Sequence, residues 1–348
     1  MAAYIVKRLL LMIPTLIGIL FVSFVIIQFV PGGPVEQLVH ELRGGVAGGG
    51  EVAATGGYRG AQGVDPQQIE EIRRMYGFDR PAPERFVRML RQYASFDLGT
   101  SYLYHQSVGE LIVEKLPVSI SLGLWSFLLV YAVSIPLGIA KAVRHGTRFD
   151  LWTSVAILVG YAIPGFVLGI LLLVLFGGGS FWQIFPLRGL VSDDFAQLSL
   201  GGKVLDYFWH LAMPLTCLVV GSFAVTTMLT KNTVLEEIRK QYVLTARAKG
   251  LSERRVFYKH VFRNAMIPLV TAFPAAFIGA FFTVSLLIET LFSLDGLGLL
   301  SYEAVIRRDY PVVLGTLYVF SLLGLVAKLL TDLMYTWVDP RVKFSASA

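Results

Sequence analysis

Residues 9–30 read LLLMIPTLIGILFVSFVIIQFV, a run of 22 residues without a charged side chain. About 20 apolar residues are needed to cross the roughly 30 Å hydrocarbon layer of a membrane as an α-helix. Lys7 and Arg8 precede the run, as basic residues precede the apolar part of a signal peptide. However, the run is long enough to span, and no small-residue cleavage site follows it. The sequence therefore predicts a retained first transmembrane helix.

Five further apolar segments of similar length lie at residues 118–140, 151–176, 209–229, 269–291 and 312–334. The chain is 55% hydrophobic with a mean hydropathy of +0.65, whereas soluble domains are about 45–50% apolar. Because lipid offers no hydrogen-bond partners to a bare backbone, each segment must be helical. We therefore predict an all-α membrane protein with six transmembrane helices. Prolines are expected to mark kinks at Pro14, Pro136, Pro164, Pro214 and Pro274.

The distribution of Lys and Arg predicts the orientation, because cytoplasmic loops carry an excess of these residues. With the N-terminus inside, the short outer loops hold only Arg188, Lys203, Arg307 and Arg308. The inner segments hold many more, including nine basic residues between 231 and 263. Both termini are therefore expected in the cytoplasm. The net charge of +6 follows from this arrangement and does not indicate a nucleic-acid partner.

The predicted spans divide the chain into four parts: residues 1–30 with the first helix, an outer segment 31–117, a five-helix core 118–338, and a cytoplasmic tail 339–348. The outer segment contains a low-complexity, Gly-rich insert at residues 44–63, which is expected to be flexible. Helices are expected from Asp65 and over about residues 83–94, and residues 108–117 are expected to lie along the membrane surface. These helices either cap the bundle or contact a soluble partner or the substrate, and both alternatives stay open.

No pattern of a catalytic, metal or nucleotide site occurs in the sequence. The run Gly201-Gly202-Lys203 is followed by Val204 instead of the hydroxyl residue of a phosphate-binding loop. The single cysteine, Cys217, and five scattered histidines show no metal-ligand spacing. The chain is therefore expected to bind no cofactor or metal and not to be an enzyme.

Few ionisable residues lie within the predicted spans. Lys328 and Asp332 are one helical turn apart and are expected to pair, and Glu289 is expected at the outer interface. Transporters driven by protons or sodium usually place acids at mid-depth. Their scarcity predicts that energy enters the protein by another route.

Residues 231–268 form the most polar stretch between two spans, with nine basic residues and three acids, Glu236, Glu237 and Glu253. Residues 234–249 favour one helix, Gly250 ends it, and Ser252 is a candidate N-cap for a second helix to about Ala265. Leu251, Val256, Phe257 and Val261 keep helical spacing through it. A compact helix–glycine–helix loop can transmit force from a partner to the spans. The alternative is that residues 231–268 are only a basic loop held on anionic lipid.

Two motifs in this loop, Tyr242-Val-Leu-Thr-Ala-Arg-Ala-Lys-Gly250 and His260-Val-Phe-Arg-Asn-Ala-Met-Ile-Pro268, resemble the EAA loop of ABC-importer permeases of the dipeptide/oligopeptide class. Ala246 and Gly250 match that motif, whereas Leu244 replaces its Glu and Thr245 replaces its next Ala. The resemblance implies a coupling helix that docks on a partner ATPase. The coupling residues it implies are Tyr242, Ala246, Arg247, Lys249, Gly250, Leu251, Phe257 and His260.

Further stretches resemble the B-type peptide permease subunit, among them Phe29-Val-Pro-Gly-Gly-Pro34, Asp295-Gly-Leu-Gly298 and Arg308-Asp-Tyr-Pro311. The Gly-rich insert is similar to that of the Yej-type permease linked to microcin C and oligopeptide uptake. The resemblance implies a type I ABC importer transmembrane domain in the bacterial inner membrane, with outer segment 31–117 in the periplasm. It also implies three partners: a second homologous permease subunit, a cytoplasmic ATPase that binds ATP and Mg, and a periplasmic peptide-binding protein.

Three residues are candidates for the substrate path. Tyr161, Pro164 and Ser285 are candidates, and the Gly165/Gly169 pair favours close helix packing. A self-sufficient secondary carrier or channel is the main alternative function, and uptake by this chain alone under an ion gradient would distinguish it. A membrane-anchored scaffold is a third, and it would tolerate polar substitutions in the spans.

Overall fold

A computed structural model of the chain describes residues 2–29, 79–178, 181–282 and 286–338. The Gly-rich insert, the helix expected from Asp65, Ser285 and the tail lie outside these residues. Helices form the architecture, as predicted. In chain order they are α1 (Ala2–Phe29), α2 (Ala82–Ala94), α3 (Val108–Val143), α4 (Arg148–Ala162), α5 (Gly165–Phe176), α6 (Leu200–Ile238), α7 (Gln241–Ala248), α8 (Glu253–Ala265), α9 (Ile267–Phe282), α10 (Leu286–Leu291), α11 (Leu297–Ile306) and α12 (Tyr310–Val338).

Within the described ranges, α1, α3, α6 and α12 are each long and apolar enough to cross a membrane. Two bent helix pairs, α4 with α5 and α8 with α9, bring the number to six if each pair is one span. Five of the six predicted apolar segments fall on these four helices and on the pair α4 with α5. The segment predicted at 269–291 covers α9 and α10, and residues 283–285 between them lie outside the described part of the chain.

The third predicted span is broken instead of kinked. Helices α4 and α5 meet at an angle of 91°. Ile163 is extended (φ −87°, ψ 118°), and Pro164 follows it. Proline disfavours the helical conformation in the residue before it, so the break follows directly from the sequence. The other four predicted prolines stay inside α1, α3, α6 and α9.

Residues 108–117 do not form a separate surface stretch; they are the first part of α3. Pro117 removes one helical hydrogen bond, to the carbonyl of Val113. Val113 is exposed, so its carbonyl can be solvated and the helix continues. Helix α2 confirms the amphipathic helix predicted at residues 83–94.

The chain divides into two compact units, which we describe separately. Unit 1 comprises Met1–Arg8, Lys115–Leu300 and Leu322–Ala348, and unit 2 comprises Leu9–Glu114 and Ser301–Ser321. In unit 1, small residues bring α3, α4 and α5 close to α6. A Cβ on Gly165 would lie 2.9 Å from the carbonyl oxygen of Cys217, and one on Gly169 would lie 3.4 Å from its Sγ. The close packing predicted for this glycine pair is confirmed.

Unit 2 joins α2 to the adjoining parts of α1 and α12. The ring of Phe86 lies 5.5 Å from Phe21 and 5.3 Å from Phe24. The ring of Tyr93 lies 5.1 Å from that of Tyr318. These aromatic contacts hold the amphipathic helix on the two spans.

The expected pairing of Lys328 with Asp332 is wrong. Asp332 pairs with Arg8 at 2.8 Å and accepts a hydrogen bond from Tyr4 at 2.9 Å, both on α1. Glu289 is 1% exposed, and its Oε2 accepts the backbone N–H of Leu299 at 2.8 Å. A carboxylate is stabilised in the first turn of a helix, and α11 starts at Leu297. Glu289 therefore caps α11 from inside unit 1.

Candidate coupling site

Helix α6 carries the chain from a span into the polar loop. It has 39 residues, about 58 Å at 1.5 Å per residue, well beyond the hydrocarbon thickness. The helix predicted over residues 234–249 is interrupted, because α6 ends at Ile238 and Lys240 is extended (ψ 147°) before α7. This break turns Val243 and Ala246 back onto Val234, and all three are buried. Tertiary packing therefore overrides the local helix propensity.

A Schellman motif ends α7 at the predicted glycine. The N–H of Leu251 donates to Ala246 O at 3.4 Å, and the N–H of Gly250 donates to Arg247 O at 2.9 Å. Gly250 has φ +76°, a left-handed conformation that favours glycine. Leu251 packs against the same cluster as Ala246, which is the apolar contact typical of this motif.

Helix α8 starts after Ser252 and contains a π-helical segment, Phe257–Phe262, that was not predicted. Ser252 has the extended conformation of an N-cap, but its side chain makes no cap hydrogen bond. The wider π-helical turn has i→i+5 hydrogen bonds and brings residues five apart onto one side. Val256 and Val261 are five apart, and each is 1% exposed.

We call α7, the Gly250 turn and α8 the knob (residues 241–265). Its buried side chains form one cluster with the ends of α3 and α6 and the start of α9. The buried members are Ala142, Val234, Val243, Ala246, Val256, Val261, Ala265, Met266 and Leu269. Close-packed interiors transmit strain because they resist compression. The knob is therefore a rigid extension of three helices.

A polar tie reinforces the knob. The Glu237 carboxylate accepts hydrogen bonds from Lys240 Nζ and from the Tyr242 hydroxyl. That hydroxyl accepts a hydrogen bond from Asn264 Nδ2 at 3.0 Å. Burial, followed by the bond to Glu237, raises the pKa of the Tyr242 phenol, so it keeps its proton and acts as a donor. Tyr242 thus joins the end of α6 to the end of α8.

Charged groups lie beneath the knob, where α3, α4 and α6 meet. Asp150 accepts from Lys231 Nζ at 2.7 Å, and Lys141 Nζ lies 3.1 Å from the same carboxylate. Lys141 is 0% exposed and also donates to Thr153 and Ser154. The charge distribution places Lys141 among the basic residues of the inner segments and predicts no buried partner for it. The i, i+3, i+4 spacing of Asp150, Thr153 and Ser154 was the available signal for a shared partner.

The structure separates the predicted coupling residues into an inner and an outer set. Tyr242 forms the polar tie, Ala246 is buried, and Leu251, Phe257 and His260 are half-buried against the protein itself. Arg247 and Lys249 are exposed. Arg247 bridges the Gly250 turn to Glu253 with bonds of 2.9 and 3.0 Å.

Two large side chains that the sequence analysis did not select dominate the outer face. Leu244 is 57% exposed and Tyr258 is 61% exposed. Leu244 occupies the motif position of a Glu, and its departure from the motif was the signal that could have identified it.

Two of the three predicted path residues lie in the described part of the chain. Tyr161 is exposed near the end of α4, Pro164 forms the α4–α5 break, and Ser285 lies outside the described residues. Unit 1 also contains a cavity of about 370 Å³ whose polar lining includes Ser119, Ser126, Tyr131, Ser222 and Glu289.

One face of α3 supplies much of this cavity. Ser119, Leu122, Gly123, Ser126 and Phe127 follow the i, i+3, i+4, i+7, i+8 pattern of one helix face. That periodicity, with two serines in an apolar span, was a readable signal. The Ser126 hydroxyl has no hydrogen-bond partner in the described part of the chain.

These features define a multi-span membrane protein with a rigid knob on its surface and no nucleotide-binding motif in its sequence. The chain belongs to the binding-protein-dependent transport system inner membrane component family, whose profile matches residues 134–344.

Within that family the chain is similar over its length to YejB-type permeases. It is 56% identical over 359 residues to the peptidoglycan transport system permease protein YejB of Agrobacterium fabrum (strain C58 / ATCC 33970), covering 99% of each chain. It is 54% identical over 361 residues to the inner membrane ABC transporter permease protein YejB of Escherichia coli O157:H7, again covering 99% of each. The oligopeptide transport system permease protein AppB of Bacillus subtilis (strain 168) is 32% identical over 345 residues, covering 99% of this chain and 100% of that protein.

Proposed function

We propose that this chain is the permease subunit of an ABC importer that moves peptides, including peptide fragments of peptidoglycan, across the inner membrane. Its full-length relatives named as peptidoglycan and oligopeptide transport permeases support this cargo class. A separate cytoplasmic ATPase binds ATP and Mg and supplies the energy. A second homologous permease completes the path, and a periplasmic binding protein delivers the peptide.

The observation that carries this proposal is the rigid knob. A push on its outer face reaches α3, α6 and α9 directly, because the buried cluster contains residues from all three helices. The proposed orientation, with both termini in the cytoplasm, places the knob on the ATPase side. Leu244 and Tyr258 then contact the ATPase groove, with Arg247 and Lys249 beside them.

The cavity of unit 1 is the proposed point of contact with the peptide. A peptide backbone needs hydrogen-bond partners in a low-dielectric path, and Ser126 offers an unused hydroxyl. Tyr161 and Pro164 remain proposed path residues at the bend of the third span.

Cross-linking tests the docking contact. In a Cys217→Ser background, Leu244→Cys and Tyr258→Cys should each form a disulfide with a cysteine in the ATPase groove of the assembled complex. Ala246→Cys is the matched control, since Ala246 lies on the buried side of the same helix. Absence of any cross-link from both exposed positions, or equal cross-linking from position 246, would contradict the docking model.

A transport assay tests whether the chain works in an ATP-driven importer or as a secondary carrier. The complex purified with its ATPase and second permease, and supplied with the periplasmic binding protein, should import labelled peptides in vesicles only when ATP is present. Uptake by this chain alone, driven by a proton or sodium gradient, would instead identify a secondary carrier.

A further inference from the structure

Unit 2 contains a cavity of about 640 Å³ that the proposed transport function does not use. Three elements line it: the end of α1, helix α2 with the loop after it, and the start of α12. The volume falls in the range of about 300–1,000 Å³ that is typical of small-molecule sites.

Arginines dominate the charge of this cavity. Arg80, Arg85 and Arg88 line it, whereas Asp97 is the one acid among its described lining residues. Arg85, Arg88, Met89 and Gln92 stand at i, i+3, i+4 and i+7, so one face of α2 supplies this wall. Guanidinium groups match phosphate oxygens with paired hydrogen bonds.

The three arginines differ in the contacts that they make with the rest of the protein. Arg85 donates to Gln28 Oε1 at 2.5 Å, and its guanidinium lies 5.8 Å from the centre of the Phe24 ring. Arg80 lies 3.4 Å from Glu84 in an exposed pair. Arg88 makes no hydrogen bond or ion pair within the described ranges. Arg85 is thus preorganised by α1, and Arg88 is available to a ligand.

The surroundings of the cavity are apolar on the side of the spans. Phe24, Ile27 and Leu314 are among its lining residues. Phe21 and Ile17 continue the Phe24 face of α1 at i−3 and i−7, and they are 53% and 41% exposed. The cavity therefore combines positive charge at the ends of two spans with an exposed apolar face along α1.

We propose that this cavity binds the anionic headgroup of a phospholipid, with the phosphate between Arg85 and Arg88 and the acyl chains along α1. An amphipathic helix with basic and aromatic faces lies in the membrane interface plane, and basic pockets between spans bind lipid headgroups. A peptide carboxylate offers an anion but does not account for the continuous apolar surface on α1.

The test uses the assembled complex in neutral detergent, titrated with phosphatidylglycerol or with phosphatidylethanolamine of the same acyl chains and followed by native mass spectrometry. Tighter binding of phosphatidylglycerol is expected. Arg88→Gln should weaken phosphatidylglycerol binding about fivefold, because it removes one charge interaction with the headgroup. The double variant Arg85→Gln/Arg88→Gln removes two such interactions and should weaken binding about 30-fold. Arg91→Gln is the matched control, since Arg91 is exposed on α2 and does not line the cavity.

Three results would overturn the proposal: equal affinity for the two lipids, an unchanged affinity in Arg88→Gln, or an equal loss in Arg91→Gln. Inorganic phosphate and a short acidic peptide serve as competitors. If millimolar phosphate displaces the lipid completely, the site is a free-phosphate site. If the peptide displaces it and binds more weakly to Arg88→Gln, the site belongs to the cargo. These outcomes are independent of the transport assay, because they are read from lipid binding alone.

Discussion

Lys231 and Asp150 join the helix that carries the knob to the helix that starts the broken third span. The ammonium Nζ of Lys231 lies 2.7 Å from Oδ1 and 2.8 Å from Oδ2 of Asp150. Lys141 reaches the same carboxylate from α3. One buried acid therefore holds two lysines from two different helices at the base of the knob.

Asp150→Asn is expected to destabilise the protein strongly. It leaves the buried Lys141 and the nearly buried Lys231 without a countercharge. Breaking a buried pair by removing one partner costs about 3–5 kcal/mol. The purified complex should show a lower unfolding temperature, measured by its own tryptophan fluorescence.

Two companion variants sharpen this prediction. Asp194→Asn removes an exposed carboxylate and should leave the unfolding temperature unchanged. Asp150→Asn combined with Lys231→Met should recover part of the loss, because it also removes one buried charge. If the double variant is no more stable than the single one, the pairing does not account for the effect.

Tyr242→Phe is expected to loosen the knob without unfolding the spans. It removes the hydroxyl that bonds Glu237 and Asn264. Hydrogen bonds to charged groups contribute about 1.5–3 kcal/mol, and the exposed setting of Tyr242 favours the low end. Peptide-stimulated ATP turnover should fall, and amide hydrogen exchange in residues 241–265 should rise.

Tyr258→Phe is the control for this change. Tyr258 is exposed and makes ring contacts with Phe257 and Phe262, so loss of its hydroxyl should leave hydrogen exchange in the knob unaltered. Equal exchange in wild type and Tyr242→Phe would show that the polar tie does not order the knob.

The sequence predicted what depends on local chemistry. Apolar length indicated the spans, Pro164 marked a change of direction, and Gly250 marked the turn with φ +76°. It could not predict features that depend on distant partners. Lys240 is extended because Val243 and Ala246 pack on Val234, and Asp332 pairs with Arg8, which is far away in the sequence.

The same distinction between local chemistry and distant partners explains which residues of the candidate site could be predicted from the sequence. Motif resemblance pointed to this loop as the coupling site, but it could not separate the side chains that hold the loop from those that face outward. On α8, the π-helical segment keeps Val256 and Val261 buried on one side and leaves Tyr258 exposed. On α7, a regular helix, Leu244 is exposed because Val243 and Ala246 are the residues that pack on Val234. Both results depend on tertiary packing and not on the local sequence.

Gly138→Ala is expected to disturb the contact between α3 and α6. A Cβ at this position would lie 2.6 Å from Thr230 Cβ and 2.8 Å from the carbonyl oxygen of Thr227. Overpacking of this kind costs about 1–3 kcal/mol. Gly221→Ala, in α6, meets nothing within 4 Å and should be neutral or slightly stabilising. An equal unfolding temperature for both variants would contradict close packing at Gly138.

Gly250→Ala isolates the turn of the knob from its packing. A Cβ at Gly250 meets nothing within 4 Å, so the substitution acts only through the left-handed φ, at a cost of about 1–2 kcal/mol. That cost shifts the population of the native turn by a factor of about 5–30. Peptide-stimulated ATP turnover of the assembled complex should fall, whereas Gly250→Asn should fall less, because asparagine tolerates this conformation better. Gly18→Ala, whose Cβ also meets nothing within 4 Å, should retain full stimulation. Wild-type stimulation in Gly250→Ala would mean that the shape of the turn does not transmit force.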